Sequence, residues 1–367
     1  MAPRVGRTAD VPGGRVTHGL VVGKFYPPHA GHHHLIDTAA AGCDRLTVVV
    51  AASPLESIPI ALRAAWLRER HPQPHVDIVA AVDDIEIDYD SDAVWTAHAE
   101  IFTTAARDPV DVVFSSEEYG PELARRLGAA HVAVDPARER FPVSGTAVRQ
   151  DHVATWRWLS PPVRAHLTRR VVVVGAESSG TTTLARALAG HYARRGGVWA
   201  ATRLVPEYGR LYCEEKLAIA RRRDPGLWLG DLEWASEEFA VIAERQLALE
   251  DAAARAGSPL LVCDTDAFAT ELWHERYVGT PAPALARTPH DLWILTDTAG
   301  VPFEQDGWRD GEAIRVRMSA RFAAELERRC LPHVTVSGPH DVRLATAVDA
   351  IDTVLDKSRA WTDAGAL

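Results

Sequence analysis

Two histidines flank a glycine directly after the first apolar run of the chain. In GKFYPPHAGH (23–32), His29 and His32 lie on either side of Gly31, where a helical pattern begins. A glycine allows the backbone to approach a phosphate closely, and the free N–H groups at a helix start attract anionic oxygen. Nucleotidyl transfer needs such donors, because the protein mainly holds the triphosphate and neutralises charge on the α-phosphate. We therefore predict a nucleotide site at this histidine pair.

A second polar segment fits the same site. In VSGTAVR (143–149), Ser144 and Thr146 precede Arg149 at a predicted helix start. Hydroxyl groups in such positions cap a helix and, together with an arginine, bind β- and γ-phosphates. With the histidine pair, this segment predicts an ATP-binding site in the first part of the chain.

A glycine-rich loop follows the apolar run VVVVG. It matches the P-loop pattern GxxxxGK[ST], except that Thr181 occupies the lysine position. The predicted ATP-binding residues of this loop are Gly175, Glu177, Ser178, Ser179, Gly180, Thr181, Thr182 and Thr183. The backbone N–H groups of such a loop cradle phosphates, but loss of the ammonium group removes several kcal/mol of transition-state stabilisation, roughly a thousandfold in rate. Arg210, or Arg309 in a DGWRD segment typical of a mobile lid, is a candidate to replace that charge.

Two further segments place carboxylates after predicted strands. Glu207 begins the sequence EYGR, and Asp264 and Asp266 follow the run LLVC. Ligand sites of α/β proteins lie at the carboxyl edge of the sheet. We therefore predict a Mg²⁺ or substrate site there, with Thr182, Asp264 and Asp266 as metal ligands.

The elements that position these residues alternate along the chain. Short β-branched runs alternate with longer Ala-, Leu- and Arg-rich stretches, twice over. This pattern predicts an α/β fold with two doubly wound parallel-sheet domains, a Rossmann-like domain followed by a P-loop kinase-like domain. The predicted parts are a disordered tail (1–15), the first domain (16–150), a linker (151–169), the second domain (170–357) and a second tail (358–367).

Composition excludes several classes of protein. The chain has 367 residues, 47% of them hydrophobic and 25% charged, with a formal net charge of -10. That charge disfavours general binding to nucleic acid or anionic membranes. No apolar run is long enough to span a bilayer, the first fifteen residues contain no apolar signal core, and the four cysteines form no CxxC pair. We expect a cytoplasmic enzyme without a membrane partner. A homo-oligomer is compatible with the sequence, but no motif specifies one.

The first half resembles the HxGH nucleotidyltransferase superfamily and, more narrowly, the nicotinamide-mononucleotide adenylyltransferase domain of the NadR-type bifunctional proteins of NAD biosynthesis. The resemblance is carried by GKFYPPHAGH, SSEEYG (115–120) and DPARERFPVSGTAVR (135–149). The second half resembles the ribosylnicotinamide kinase domain of the same proteins, through GAESSG, EYGR, DTD and the DGxR lid. Together the two resemblances cover about residues 17–350, in the order that the family uses.

For the first domain, the resemblance implies transfer of an adenylyl group from ATP to nicotinamide mononucleotide. The residues that it implies as contacts of the ATP phosphates are Lys24, His29, His32, Ser144, Thr146 and Arg149. His32 is the best candidate for stabilising the α-phosphate in the transition state. The resemblance also implies an aromatic residue that stacks on the nicotinamide ring, either Trp95 or Trp66.

For the second domain, the resemblance implies phosphorylation of ribosylnicotinamide by ATP with Mg²⁺. Glu207 or Asp264 would take the proton from the ribose 5′-hydroxyl, and the other carboxylate would order Mg²⁺ or the ribose. Arg309 would reach the transferring phosphoryl group. Thr181 departs from the family's lysine.

Other functions remain open at this point. With Thr181 in the lysine position, the second domain would serve equally as a non-catalytic sensor of ATP or NAD. The first domain would fit another phosphorylated acceptor, such as phosphopantetheine, although the P-loop half argues against this. Some family members carry an amino-terminal helix-turn-helix module. Here only about fifteen residues precede the first strand, so no DNA partner is expected.

Overall fold

The computed structural model describes residues 16–86, 88, 90–303, 312–357 and 361–362. The chain divides into two compact units, one made of residues 1–150 and 360–367 and the other of residues 151–359. Arg309 lies outside the described residues. Among those that are described, no helix combines the length and the hydropathy needed to cross a bilayer.

The first unit contains a five-stranded parallel sheet with the strand order β3-β2-β1-β4-β5. Its strands are β1 (His18–Gly23), β2 (Arg45–Ala52), β3 (Val76–Val82), β4 (Val112–Ser115) and β5 (Ala130–Ala133). Its helices are α1 (Ala30–Gly42), α2 (Ile60–Arg70), α3 (Asp92–Ala106), α4 (Gly120–Leu127) and α5 (Gly145–Gln150).

The first strand explains why this unit has two apolar layers. Alternate residues of a strand point to opposite faces of the sheet. Val21 belongs to a core cluster with Leu35 and Ile36 of α1, whereas Val22 belongs to a second cluster with Phe102 of α3. A strand buried on both faces consists almost entirely of apolar residues, as the run GLVVG does.

Residues 361–362 also belong to this unit. The hydroxyl group of Tyr26 donates to the carbonyl oxygen of Thr362 at 2.9 Å. The ring of Trp361 makes an edge contact with the Tyr26 ring, with 5.5 Å between the centroids. Residues 361–362 therefore pack against the loop that follows β1.

The second unit repeats the architecture with the strand order β10-β9-β6-β8-β7, again all parallel. Its strands are β6 (Arg169–Gly175), β7 (Arg203–Val205), β8 (Leu260–Asp264), β9 (Leu292–Thr296) and β10 (His333–Val336). Its helices are α6 (Pro161–Leu167), α7 (Thr181–Ala193), α8 (Tyr208–Arg221), α9 (Ser236–Ala256), α10 (Ala267–Val278), α11 (Glu312–Arg328) and α12 (His340–Asp356). The predicted α/β class with two parallel sheets is confirmed.

The segment 151–169, predicted as a linker, groups with the second unit. Helix α6 packs against α9, and the indole N–H of Trp156 donates to the carbonyl oxygen of Gly257 at 3.0 Å. Trp156 is buried, so this segment contributes to the core of the second unit.

The strand order of each sheet creates a crevice of the kind in which α/β proteins bind ligands. The first strand of each sheet is central, and the chain winds away from it on either side, β2 and β4 flanking β1, and β8 and β9 flanking β6. A crevice opens at the carboxyl ends of the strands at such a switch point. The two predicted phosphate-binding loops follow β1 and β6, so each begins at its own crevice.

Candidate active sites

The histidine pair lies at the start of α1. His29 is the last residue before the helix and has extended backbone angles, φ -143° and ψ 175°. Its ring stacks on that of His32 with 3.7 Å between the centroids, and its backbone N–H donates to Nδ1 of His32 at 3.3 Å. A Cβ atom at Gly31 would lie 3.2 Å from the His29 ring. A larger residue between the histidines would therefore crowd the His29 ring, which would have to shift by a few tenths of an ångström.

Both imidazoles are neutral at physiological pH. Burial, together with the nearby His33 and Arg138, lowers the pKa of His29 to about 3. Burial also holds the pKa of His32 well below its usual range, with His29 and Arg138 adding to the effect. His29 is only 4% exposed, and within the described part of the chain neither of its ring nitrogens has a hydrogen-bond partner. Buried polar atoms normally have partners, so these nitrogens are suited to a bound ligand.

The segment 143–149 is fastened to the loop of the histidine pair. The Ser144 hydroxyl accepts a hydrogen bond from the backbone N–H of Ala147 at 3.1 Å, at the start of α5. Nη1 of Arg149 donates to the carbonyl oxygen of Tyr26 at 2.9 Å, and Nη2 lies 3.4 Å from the Thr146 hydroxyl. The structure thus brings Ser144, Thr146 and Arg149 to the same crevice as the histidines.

Lys24 belongs to a buried ionic group that the sequence did not reveal. Its Nζ lies 3.8 Å from Oε1 of Glu56, and the other carboxylate oxygen of Glu56 lies 2.7 Å from Nη2 of Arg63. Nη1 of Arg63 also donates to the carbonyl oxygen of Lys24 at 2.8 Å. Burial lowers the pKa of Arg63, and the Glu56 carboxylate opposes that shift. These contacts hold the backbone just before the histidine pair.

The two predicted stacking residues are largely buried. Trp66 is 5% exposed, on the inner face of α2, and Trp95 is 6% exposed, in the core cluster that contains Phe102. The guanidinium group of Arg126 covers the Trp95 ring at 5.5 Å. A role in stacking on a nicotinamide ring stays a prediction for both.

The P-loop adopts a tight turn between β6 and α7. Ser178 has φ +55° and Gly180 has φ +87°, so two residues are in the left-handed region. The Ser179 hydroxyl lies 2.6 Å from the carbonyl oxygen of Ala176 and 2.6 Å from the Thr296 hydroxyl. Ser179 therefore braces the loop from inside, whereas the other predicted P-loop residues line a cavity.

A hydroxyl and two carboxylates meet beside this loop. The Thr182 hydroxyl donates to Oδ2 of Asp264 at 2.6 Å. Burial, together with the neighbouring Asp264, raises the pKa of Glu207 to about 7, while Arg210 opposes the shift. Burial also raises the pKa of Asp264, and the Thr182 hydrogen bond opposes that shift. Hard oxygen ligands of this kind suit Mg²⁺, so Thr182 and Asp264 are the residues that would hold such an ion.

The cavity has a volume of about 350 Å³ and combines a polar floor with an aromatic wall. The floor contains the P-loop, Glu207, Asp264 and Arg210. The wall contains four aromatic side chains in mutual contact, Trp234, Phe239, Trp273 and Tyr277. The chain has eleven tryptophans, but the sequence did not indicate this wall because its members lie far apart along the chain. Trp234 precedes α9, Phe239 lies in the first turn of α9, and Trp273 and Tyr277 lie in the second half of α10.

Asp266 is not part of this site, which corrects the expectation that it is a metal ligand. Thr265 has φ +74°, so the chain turns between the two aspartates. The Asp266 carboxylate accepts hydrogen bonds from the backbone N–H of Ala269 at 3.0 Å and from the Trp293 indole at 2.9 Å. It also lies 3.7 Å from the ring of His290. Its oxygen atoms therefore bind the start of α10 and a buried pair of side chains, Trp293 and His290.

Known proteins are similar to this chain, some over one of its two units and some over nearly its whole length. A family model described as an AAA domain matches residues 170–343. The Escherichia coli (strain K12) protein named trifunctional NAD biosynthesis/regulator protein NadR is 26% identical over 375 residues, covering 95% of this chain and 86% of that protein. The nicotinamide-nucleotide adenylyltransferase of Methanoculleus marisnigri is 26% identical over 161 residues, covering 42% of this chain and 92% of that enzyme.

Solved structures share the fold over nearly the whole chain. A NadR protein in complex with NR has a TM-score of 0.69 and 21% identity, covering 95% of this chain and 98% of that one. A NadR protein in complex with NAD and AMP-PNP has a TM-score of 0.66 and 20% identity, covering 95% and 99%. The histidine-pair unit and the P-loop unit occur in this chain in one continuous match, and the chain is therefore homologous to the NadR proteins of NAD biosynthesis.

Proposed function

We propose that the first unit transfers an adenylyl group from ATP to nicotinamide mononucleotide, which gives NAD and pyrophosphate. The observation that carries this proposal is the stacked histidine pair, in which neither buried ring nitrogen of His29 has a hydrogen-bond partner among the described residues. The similarity to the nicotinamide-nucleotide adenylyltransferase of Methanoculleus marisnigri supports the choice of acceptor.

The chemistry asks little more of the protein than positioning and charge stabilisation. A phosphate oxygen of the mononucleotide attacks the α-phosphorus of ATP, the new P–O bond forms, and the bond to pyrophosphate breaks. Neutral imidazole N–H groups of His29 and His32 donate to the α-phosphate as negative charge accumulates there. Ser144, Thr146 and Arg149 hold the pyrophosphate part as it leaves.

We propose that the second unit phosphorylates ribosylnicotinamide with ATP and so supplies the first reaction. Glu207 accepts the proton from the ribose 5′-hydroxyl, and the hydroxyl oxygen attacks the γ-phosphorus with ADP as the leaving group. Thr182 and Asp264 would hold Mg²⁺, which neutralises charge on the phosphates when it is bound. The nicotinamide ring of a riboside carries a positive charge, so an aromatic wall next to carboxylates suits it well.

A sensor remains the second candidate for this unit, because Thr181 leaves the loop without the lysine of its family. The test is to incubate the full-length protein with ATP, Mg²⁺ and ribosylnicotinamide and to follow the mononucleotide and NAD by chromatography. We expect both products in the unmodified protein. We expect the mononucleotide alone to accumulate in His32→Ala, and neither product in Glu207→Gln until mononucleotide is added. Unmodified protein that binds ATP yet forms no mononucleotide would support the sensor instead.

A further inference from the structure

Two buried arginines hold the P-loop from behind. Arg315 of α11 is 3% exposed and Arg343 of α12 is 5% exposed. Nη2 of Arg315 lies 3.1 Å from the carbonyl oxygen of Ser178, and Nη1 of Arg343 lies 2.9 Å from that of Ser179. Two consecutive carbonyl groups of the loop are therefore each bound by a separate guanidinium group.

The same arginines also tie the loop to its neighbours. Arg315 reaches the carbonyl oxygens of Thr298 at 3.0 Å and Val301 at 2.8 Å, in the segment after β9. Arg343 reaches those of Gly338 at 2.7 Å and Ala299 at 3.2 Å. Throughout the described residues, the hydrogen-bond acceptors of both guanidinium groups are main-chain carbonyls.

This arrangement has a conformational consequence. A loop that binds phosphate must turn its N–H groups toward the ligand, and its carbonyl groups then face the opposite way. Ser178 has φ +55°, an uncommon conformation for a residue other than glycine, and the surrounding contacts must hold it. The hydrogen bond from Arg315 to the Ser178 carbonyl group is such a contact.

The arrangement also has an electrostatic consequence. Among the described residues, the charged side chains that line the cavity are Glu177, Glu207, Asp264 and Arg210, so carboxylates outnumber cations in this part of the site. The loop lysine that would offset them is replaced by Thr181. A buried guanidinium group without a bound carboxylate is costly, and a bound polyphosphate next to the loop would compensate its charge.

We propose that Arg315 and Arg343 are positioning residues that preorganise the P-loop and supply the positive charge that Thr181 cannot. This inference rests on the proposed binding of ATP by the second unit. It assigns the role of the missing lysine to two arginines that contact the loop rather than to one residue inside it.

The test uses the full-length protein and a readout that is local to the second unit. Hydrogen exchange of the peptide 175–183, titrated with MgATP, reports nucleotide binding at this loop separately from the first unit. We expect Arg315→Met to weaken that binding on the order of tenfold or more and to raise the KM for ATP more than the KM for ribosylnicotinamide. Arg317→Met, an exposed arginine on the same helix, is the matched control and should leave both unchanged.

A second change separates positioning from a general loss of structure. Adding Thr181→Lys to Arg315→Met should restore ATP binding to within about threefold of the Thr181→Lys single variant, because the two charges substitute for each other. Adenylyl transfer by the first unit should stay at its original rate in every variant. Unchanged ATP binding in Arg315→Met, or strictly additive effects in the double variant, would overturn the proposal.

The outcomes also separate this inference from the proposed kinase. If the unmodified protein protects the loop with ATP but forms no mononucleotide, the kinase proposal fails, and the arginine dependence of that protection still decides the inference. If MgATP gives no protection of the loop at any concentration, both proposals fail.

Discussion

The carboxylate of Glu207 should make the proposed kinase step sensitive to pH near neutrality. Its pKa is raised from 4.5 to about 7, first by burial and then by Asp264. A general base acts only when it is deprotonated, and the ionised fraction for a pKa near 7 is about 10% at pH 6 and about 90% at pH 8. We therefore expect kcat for phosphorylation of ribosylnicotinamide to rise about ninefold across this range.

Substitution of this residue should remove both the rate and its pH dependence. Loss of a general base typically costs about 10²–10⁴ in rate, and Glu207→Gln keeps the size of the side chain. ADP release at saturating ATP and ribosylnicotinamide, measured from pH 6 to pH 8, gives both quantities. Glu215→Gln changes an exposed carboxylate on the same helix and should behave like the unmodified protein.

The contribution of Glu207 to the free energy of unfolding should fall as pH rises, whereas kcat should rise. A raised pKa means that the folded state binds the proton more tightly than the unfolded state does, so this contribution is present below pH 4.5 and is lost as pH rises toward 7. Tm measured alongside the rates confirms that the activity at pH 8 comes from folded protein. A Glu207→Gln variant that kept the ninefold rise, or kept its rate within about threefold, would refute this assignment of the base.

Four further predictions concern the two units. His32→Ala should lower kcat for adenylyl transfer about 10²–10³-fold while Tm is retained, as a thermal melt and an NAD-forming assay would show. Gly31→Ala would place a Cβ atom 3.2 Å from the His29 ring, so adenylyl transfer should fall about tenfold or more as the rings separate; a rate equal to that of the unmodified protein would argue against the stacked geometry. Asp266→Asn should lower the free energy of unfolding by about 1–3 kcal/mol, measured by denaturant titration, with kinase kcat preserved. Asp264→Asn should show the reverse pattern, a loss of kinase turnover and of its Mg²⁺ dependence.

The sequence predicted those features that depend on residues close together in the chain. The alternation of apolar strands with helices gave the two parallel sheets, because a strand buried on both faces has few alternatives to apolar residues. The histidine pair and the P-loop were predicted because a glycine and the start of a helix must directly follow the first strand of each sheet. The structure brings the segment of Ser144 to the segment of His29, as their residue types indicated.

The sequence did not reveal contacts between distant segments. Arg315 and Arg343 lie far along the chain from the loop that they hold, and in sequence they are ordinary arginines on amphipathic helices. Asp266 was assigned to the metal site because it follows the same strand as Asp264. The positive φ of Thr265 directs it elsewhere, and nothing in the residue type of a threonine predicts that angle.

The contact between Tyr26 and residues 361–362 determines when, during translation, the first unit can complete its folding contacts. Tyr26 is synthesised before the second unit, whereas Thr362, whose carbonyl oxygen accepts the hydrogen bond from the Tyr26 hydroxyl, follows that unit. The loop next to the histidine pair therefore cannot acquire its full set of contacts during synthesis of the first unit. The contacts of Tyr26 with residues 361–362 can form only after the second unit has been translated.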